Sequence, residues 1–104
     1  MKIVLVGRHP SPAEHTVFPD GIPDDKMSDY AWMKSVCMRW LKNAPEYDGP
    51  AYRGVVELYV EGFTPATVAF LVAWQIYHGG TDEGLHLMHY QPADGSYKAQ
   101  EWRA

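Results

Sequence analysis

Three things are scarce in this chain: cysteine, long apolar runs and basic residues. Among its 104 residues there is one cysteine, Cys37, so an intramolecular disulfide is excluded. We expect a buried thiol in a reducing compartment. No segment reaches the roughly 18–20 apolar residues of a membrane span, so we expect no membrane association. The N-terminal apolar run is short and meets Arg8 and His9, which argues against a signal peptide. We therefore expect a cytoplasmic protein.

Basic residues are outnumbered by acidic ones. Nine Lys and Arg stand against 13 Asp and Glu, and the formal net charge is −4. Proteins that bind duplex nucleic acid rely on many cationic contacts to phosphates, so duplex binding is not expected. A small anion held at one local site remains compatible with this charge. The length and the 46% apolar content predict a single domain over residues 1–104.

Familiar cofactor and metal motifs are also missing. The sequence has no Gly-rich phosphate loop of either common type and no Gly-x-Ser-x-Gly nucleophile elbow. His86 and His89 lie on a predicted strand, where their spacing directs the two rings to opposite faces. The acidic residues of 20–29 do not have the spacing of a calcium loop. We therefore expect no cofactor and no metal.

The apolar pattern predicts alternating strands and helices. Residues 2–6 form a continuous apolar run, which is typical of a strand buried on both faces. Right-handed crossovers would make the first three strands parallel. The pattern predicts an α/β fold, a small Rossmann-like β-α-β-α-β-β domain with a mostly parallel sheet and a C-terminal antiparallel hairpin strand. The predicted elements are strand 2–6, helix 29–43, strand 54–60, helix 65–78, strand 85–90 and strand 96–102.

Capping and breaking residues set the predicted bounds. Ser28 is the expected cap of the first helix, and Thr64 followed by Pro65 is the expected start of the second. Residues 8–26 contain four prolines, so we expect a long loop with no regular element. Asp94-Gly95 predicts a tight turn before the last strand. The residues expected to end the helices are Pro45, Gly49, Pro50, Gly79 and Gly80.

Polar residues follow the ends of the predicted parallel strands. These ends meet at one edge of the sheet, which is where open α/β sheets bind ligands. An arginine, an imidazole and the amides of a helix N-terminus together suit a phosphate. We therefore expect a small phosphorylated nucleotide at this carboxyl edge. The expected catalytic residues are His9 and Arg8, and the expected ligand-binding residues are Ser11, Gly62, Phe63, Thr64, His89 and Tyr90.

Each of these residues has a possible chemical role and a structural alternative. Arg8 can fork two phosphate oxygens, and His9 can act as general acid or base. His89 is either the partner acid of His9 or part of a base pocket with Tyr90. The alternatives are that Thr64 is an ordinary helix cap, that Arg8 pairs with an acidic loop residue, and that the histidines are structural.

Two family resemblances centre on the turn Gly7-Arg8-His9-Pro10. It resembles the Arg-His-Gly of histidine phosphatases, but Pro10 replaces the glycine and the chain is too short for that fold. The Arg8-His9-Pro10 turn and segment 58–68 are similar to small CRISPR-associated ring-nuclease-like proteins related to Rossmann-like CARF domains. That resemblance implies a homodimer that binds a cyclic oligoadenylate messenger of antiviral defence. It also implies metal-independent cleavage to a 2′,3′-cyclic phosphate by His9 and Arg8.

Two other functions fit the same residues. A non-catalytic sensor or sponge would use the same site without cleaving its ligand. A plain interaction protein would instead use the many aromatic residues and the second helix, which has no charged side chain from 65 to 77. An apolar helix of this kind needs cover on more than one side, so we expect a second subunit to pack on it.

Overall fold

A computed structural model describes residues 1–44, 55–79 and 84–102. Within these ranges the chain forms five strands and two α-helices, together with a 3₁₀ turn at Asp24–Lys26. None of the helices in these ranges is long and apolar enough to cross a bilayer. In chain order the elements are β1 (Lys2–Val4), β2 (His15–Thr16), α1 (Tyr30–Asn43), β3 (Val55–Tyr59), α2 (Thr64–His78), β4 (Gly84–Gln91) and β5 (Ser96–Trp102).

The strands form one sheet in the order β2-β1-β3-β4-β5. The first four are parallel to their neighbours, and β5 pairs antiparallel with β4. The register aligns Val4 with Tyr59 and Tyr59 with Met88, so the carboxyl ends of three strands lie at one edge. This confirms the predicted Rossmann-like α/β class, with a mostly parallel sheet and a C-terminal antiparallel strand.

Both helices cover the same face of the sheet, because the chain crosses the sheet in one direction, from β2 past β1 to β3 and then to β4, and right-handed crossovers therefore place α1 and α2 on one side. The strands send alternate side chains, such as Ile3, Leu58 and Leu85, into one core. The helix residues that pack on them include Met33, Cys37, Leu41, Phe70 and Trp74. The buried residues of α1 recur every four positions, at Met33, Cys37 and Leu41, and therefore form one apolar stripe that packs against the sheet.

The short strand β2 was not predicted. The four prolines of 8–26 leave residues 13–18 free of proline, and this stretch pairs in parallel with β1. Since β2 and β3 flank β1 on opposite sides, right-handed crossovers place their connections on opposite faces. The connection from β1 to β2 thus crosses the face without helices, where His9, Pro10 and Ser11 line a cavity with Val4 and Tyr59.

The helix caps differ from the prediction by one residue. The side chain of Asp29, and not Ser28, accepts the Trp32 amide at 3.0 Å and caps α1. Asp29 also lies 3.5 Å from the ammonium of Lys26, which favours it over the uncharged serine. At α2 the N-cap is Phe63, Thr64 is already the first helical residue, and no side chain caps the helix.

The remaining bounds shift by one or two residues. The ladder of β1 ends at Val4, although Leu5 still accepts a backbone hydrogen bond from Phe18. The predicted turn at Asp94-Gly95 is present: Gly95 has a φ of +70°, which glycine adopts without strain, and the Asp94 carboxylate accepts the Ser96 amide. The predicted breakers Pro45, Gly49, Pro50 and Gly80, and the predicted strand residue Gly54, lie outside the described residues.

Candidate functional site at the carboxyl edge

A cavity of about 440 Å³ opens at the carboxyl edge, between the end of β1 and the start of α2. We call it the Arg8 cavity. Of the eight residues expected at the site, it contains Arg8, His9, Gly62, Phe63 and Thr64. Arg8 and His9 are exposed, and Arg8 makes no ion pair with any described residue. A cationic side chain with no ion-pair partner among the described residues therefore lies beside an imidazole and a helix N-terminus.

A second cavity of about 460 Å³ adjoins the first on the face without helices. We call it the tyrosine cavity, because Tyr59, Tyr90 and Tyr97 form one wall. The expected residues Ser11 and Tyr90 lie here, while His9 and Gly62 line both cavities. Burial raises the pKa of Tyr59, and the negative charge of Glu57 raises it further, so its phenol stays neutral.

His89 does not join either group. It is adjacent to Tyr90 on β4, and neighbouring strand residues point to opposite faces of a sheet. Its Nε2 lies 2.8 Å from Oε1 of Gln100, which it contacts across the β4–β5 pair. Sequence analysis expected His89 to be either the partner acid of His9 or part of a base pocket with Tyr90. Both roles would require the His89 ring on the face of the sheet that carries Tyr90.

The start of α2 offers backbone amides to the Arg8 cavity. Because Thr64 is not the cap and Pro65 has no N–H, the first turn presents the amide of Thr64 without a side-chain acceptor. Gly62 has no protein atom within 4 Å of where a Cβ would stand. Glycine is thus not required there by packing, and a Cβ at this position would meet only open space.

Glu61 is the residue at this edge that sequence reasoning missed. Its carboxylate accepts hydrogen bonds from the amides of Val6 at 2.8 Å, Gly7 at 3.2 Å and Arg8 at 2.7 Å. Gly7 has a φ of +80°, which lets three successive amides converge on one anion. Glu61 thus ties the end of β1 to the end of β3, and it lines both cavities.

Neither a metal site nor a known relative assigns a function to this edge of the sheet. Within residues 1–44, 55–79 and 84–102, no three His, Cys, Asp or Glu side chains are grouped so that they could hold a metal ion. No family model, curated protein or solved structure matches the chain. The interpretation of the site therefore depends on its own geometry.

Cys37 lies in the core and away from both cavities. It is fully buried, and burial raises the pKa of its thiol from 9.0 to about 12. Reactive cysteines have lowered pKa values and partial exposure, so this thiol is expected to be chemically inert.

The same shift predicts a dependence of stability on pH. Because the folded thiol resists ionisation and the unfolded thiol does not, its stabilising contribution is complete below pH 9 and is lost as the pH rises towards 12. We expect the difference in free energy of unfolding between wild type and Cys37→Ala to narrow by about 1.4 kcal/mol per pH unit above pH 9. Urea denaturation from pH 7 to 11 measures it, and a constant difference would contradict the assignment.

Proposed function

We propose that the carboxyl edge binds a cyclic oligonucleotide second messenger and cleaves it without a metal. The observation that supports this most is the convergence of Arg8, His9 and Thr64, the first residue of α2, on one cavity. These groups belong to two separate parts of the chain, and each suits a phosphodiester. The proposal places the protein in the cytoplasm, in a system of prokaryotic antiviral defence similar to that of CARF-related ring nucleases.

The proposed reaction uses a nucleophile that the ligand carries. A ribose 2′-oxygen forms a bond to the adjacent phosphorus, and the bond from phosphorus to the 5′-oxygen breaks. His9 takes the proton of the 2′-hydroxyl as general base and returns it to the departing 5′-oxygen as general acid. Arg8 and the Thr64 amide stabilise the added negative charge on the phosphorane oxygens. The products are a 5′-hydroxyl and a 2′,3′-cyclic phosphate.

Glu61 restricts where the phosphate can lie. Its carboxylate already takes the amides at the end of β1, so these donors do not serve the ligand. A second anion beside it would be repelled, and the positive charge of Arg8, which lines the same cavity, compensates for this charge. The phosphate is therefore expected between the Arg8 side chain and the first turn of α2.

Arg8 provides the first test of binding. We expect Arg8→Ala to weaken binding of AMP, a monophosphate probe, by about 10- to 150-fold because a charge-assisted hydrogen-bonding fork is lost. Arg8→Lys keeps the charge but not the fork, so an intermediate affinity is expected. Arg39→Ala removes an exposed arginine of α1 as a matched control. Titrations followed by NMR measure all four proteins, and equal affinities for Arg8→Ala and wild type would reject the phosphate site.

We also propose that a second copy of the chain packs on α2. Val68, Val72 and Ile76 are spaced by four residues and are 51%, 42% and 57% exposed. Apolar hollows lie on both sides of this stripe, and one of them reaches Thr64 and Pro65 of the Arg8 cavity. Since α2 carries no charged residue from 65 to 77, two copies of the helix meet without charge repulsion between them, and Lys34 of α1 is the charged residue that lines one of the adjoining hollows. A twofold axis that runs parallel to α2, between the two copies of the helix, would set two Arg8 cavities side by side.

A charge in this stripe tests the homodimer. Val72→Glu would bury two carboxylates at a twofold contact, so we expect dimerisation to weaken by about 10²-fold. Lys42→Glu changes the charge in the same direction at an exposed position near the end of α1, and we expect it to leave association unchanged. Sedimentation velocity at several concentrations distinguishes these cases. A wild-type protein that stays monomeric at millimolar concentration would rule out the dimer.

The sensor or sponge is the second candidate, because the same cavity would serve it. The two functions differ only in the fate of the ligand. Ligand recovered intact from a heat-denatured complex would favour sequestration, and recovery as a linear product would favour cleavage.

A further inference from the structure

The tyrosine cavity has no role in the proposed cleavage step, although it adjoins the Arg8 cavity. The two cavities share His9, Glu61 and Gly62. We propose that the tyrosine cavity binds the nucleobase of the nucleotide whose phosphate lies beside Arg8. This inference depends on the proposed function, because it identifies the ligand of that same site as a nucleotide and not as a sugar phosphate or inorganic phosphate.

The three tyrosine rings form an ordered wall. Tyr59 and Tyr97 contact edge to face with ring centroids 4.9 Å apart, and Tyr97 contacts Tyr90 in the same manner at 5.4 Å. Such contacts fix ring orientation, so little freedom is lost when a ligand binds. Tyr59 is 5% exposed and Tyr90 is 53% exposed. The wall therefore runs from a buried ring to a ring at the rim with surface left for stacking.

The rest of the open sheet face does not offer such a wall. Across the sheet, the row of Lys2, Glu57, His86 and Glu101 carries polar side chains on this face. Tyr90 lies four residues after His86 on β4, and its partner Tyr97 lies four residues before Glu101 on the antiparallel β5, so both rings are at the carboxyl edge of the parallel strands. Aromatic surface on this face is thus concentrated next to the Arg8 cavity, where a base attached to a bound phosphate would lie.

Stacking is the interaction that this wall offers a base. Aromatic side chains bind nucleobases by stacking, with little preference among the bases. The wall therefore predicts that a nucleobase binds but does not indicate which one. Loss of one stacking ring is expected to weaken binding by about 5- to 150-fold. Ser11 lies in the same cavity and can form a hydrogen bond to the edge of the base.

The experiment compares three probes by NMR titration: AMP, ribose 5-phosphate and adenosine. For the wild type we expect AMP to bind about 5- to 150-fold more tightly than ribose 5-phosphate. Tyr90→Ala is expected to remove this advantage while leaving ribose 5-phosphate unaffected. Tyr90→Phe keeps the aromatic ring, so we expect it to bind AMP as tightly as the wild type does. Because Tyr90 is half exposed, neither substitution removes a core contact.

The outcomes separate this inference from the function on which it depends. Equal affinity for AMP and ribose 5-phosphate, both weakened by Arg8→Ala, would overturn the base subsite and keep the phosphate site. An AMP affinity unchanged by Tyr90→Ala would also overturn the base subsite. If the wild type bound neither AMP nor ribose 5-phosphate, both the base subsite and the phosphate site would be overturned.

Discussion

Replacing His9 with alanine is expected to slow cleavage of cyclic tetraadenylate by about 10²- to 10⁴-fold, the usual contribution of general acid–base catalysis. His9 is exposed and lines both cavities, so it lies between the expected positions of the phosphate and the base. The ribose that joins these two groups, as in AMP, carries the departing 5′-oxygen, and the attacking 2′-hydroxyl belongs to the ribose bonded to the same phosphate through its 3′-oxygen. No other histidine of the described residues lines either cavity.

The effect should appear in the rate and not in the affinity. We expect His9→Ala to bind cyclic tetraadenylate about as well as wild type, because Arg8 and the α2 amide still hold the phosphate. His86→Ala serves as the control, since His86 lies on the open face of the sheet away from the carboxyl edge. Single-turnover cleavage followed by mass spectrometry measures the rates. A His9→Ala variant as fast as wild type would remove the role given to this imidazole.

Replacing Phe70 with alanine is expected to destabilise the fold by about 3–5 kcal/mol. Phe70 is completely buried on the inner side of α2, and its ring stacks on Trp74 with centroids 6.3 Å apart. Its removal leaves a cavity where both helices meet the sheet. Since the free energy of unfolding of a domain is only about 5–15 kcal/mol, this substitution would remove a large fraction of it.

The Phe70 prediction has a matched variant in the same place. Phe70→Leu keeps most of the buried volume, and we expect a cost below about 1.5 kcal/mol. Urea denaturation measures both variants on one scale. If Phe70→Ala cost less than 1 kcal/mol, α2 would not pack against the sheet as described here.

The overall fold was predictable because the elements follow simple periodicities. The apolar run of β1, the stripe of α1 and the Asp94-Gly95 turn are all local patterns, and the parallel topology follows from the handedness of the crossovers. The strand β2 was not expected because four prolines occur within 8–26, although they leave 13–18 free of proline. Its two-residue ladder depends on the neighbouring β1 and carries no periodicity of its own.

The site was predictable in part, for a related reason. Arg8, His9, Gly62, Phe63 and Thr64 could be grouped because parallel strands end at one edge. Glu61 could not be recognised, because its three amide partners lie 53–55 residues away and are reached only across β1 and β3. The separation of His89 from Tyr90 was, by contrast, predictable from strand alternation alone.

Incubation of the protein, with EDTA present, with cyclic di-, tri-, tetra- and hexanucleotides, followed by mass spectrometry, tests directly whether it is a metal-independent nuclease. We expect at least one cyclic oligonucleotide to be converted to a linear product ending in a 2′,3′-cyclic phosphate, and we expect His9→Ala to leave most of it uncleaved over the same time. If every cyclic nucleotide were recovered unchanged and none increased the thermal stability of the protein, neither cleavage nor binding of a cyclic nucleotide could be maintained. A ligand at one hundred times its Kd should add about 2.7 kcal/mol of stability, so binding without cleavage would be detected in the same samples.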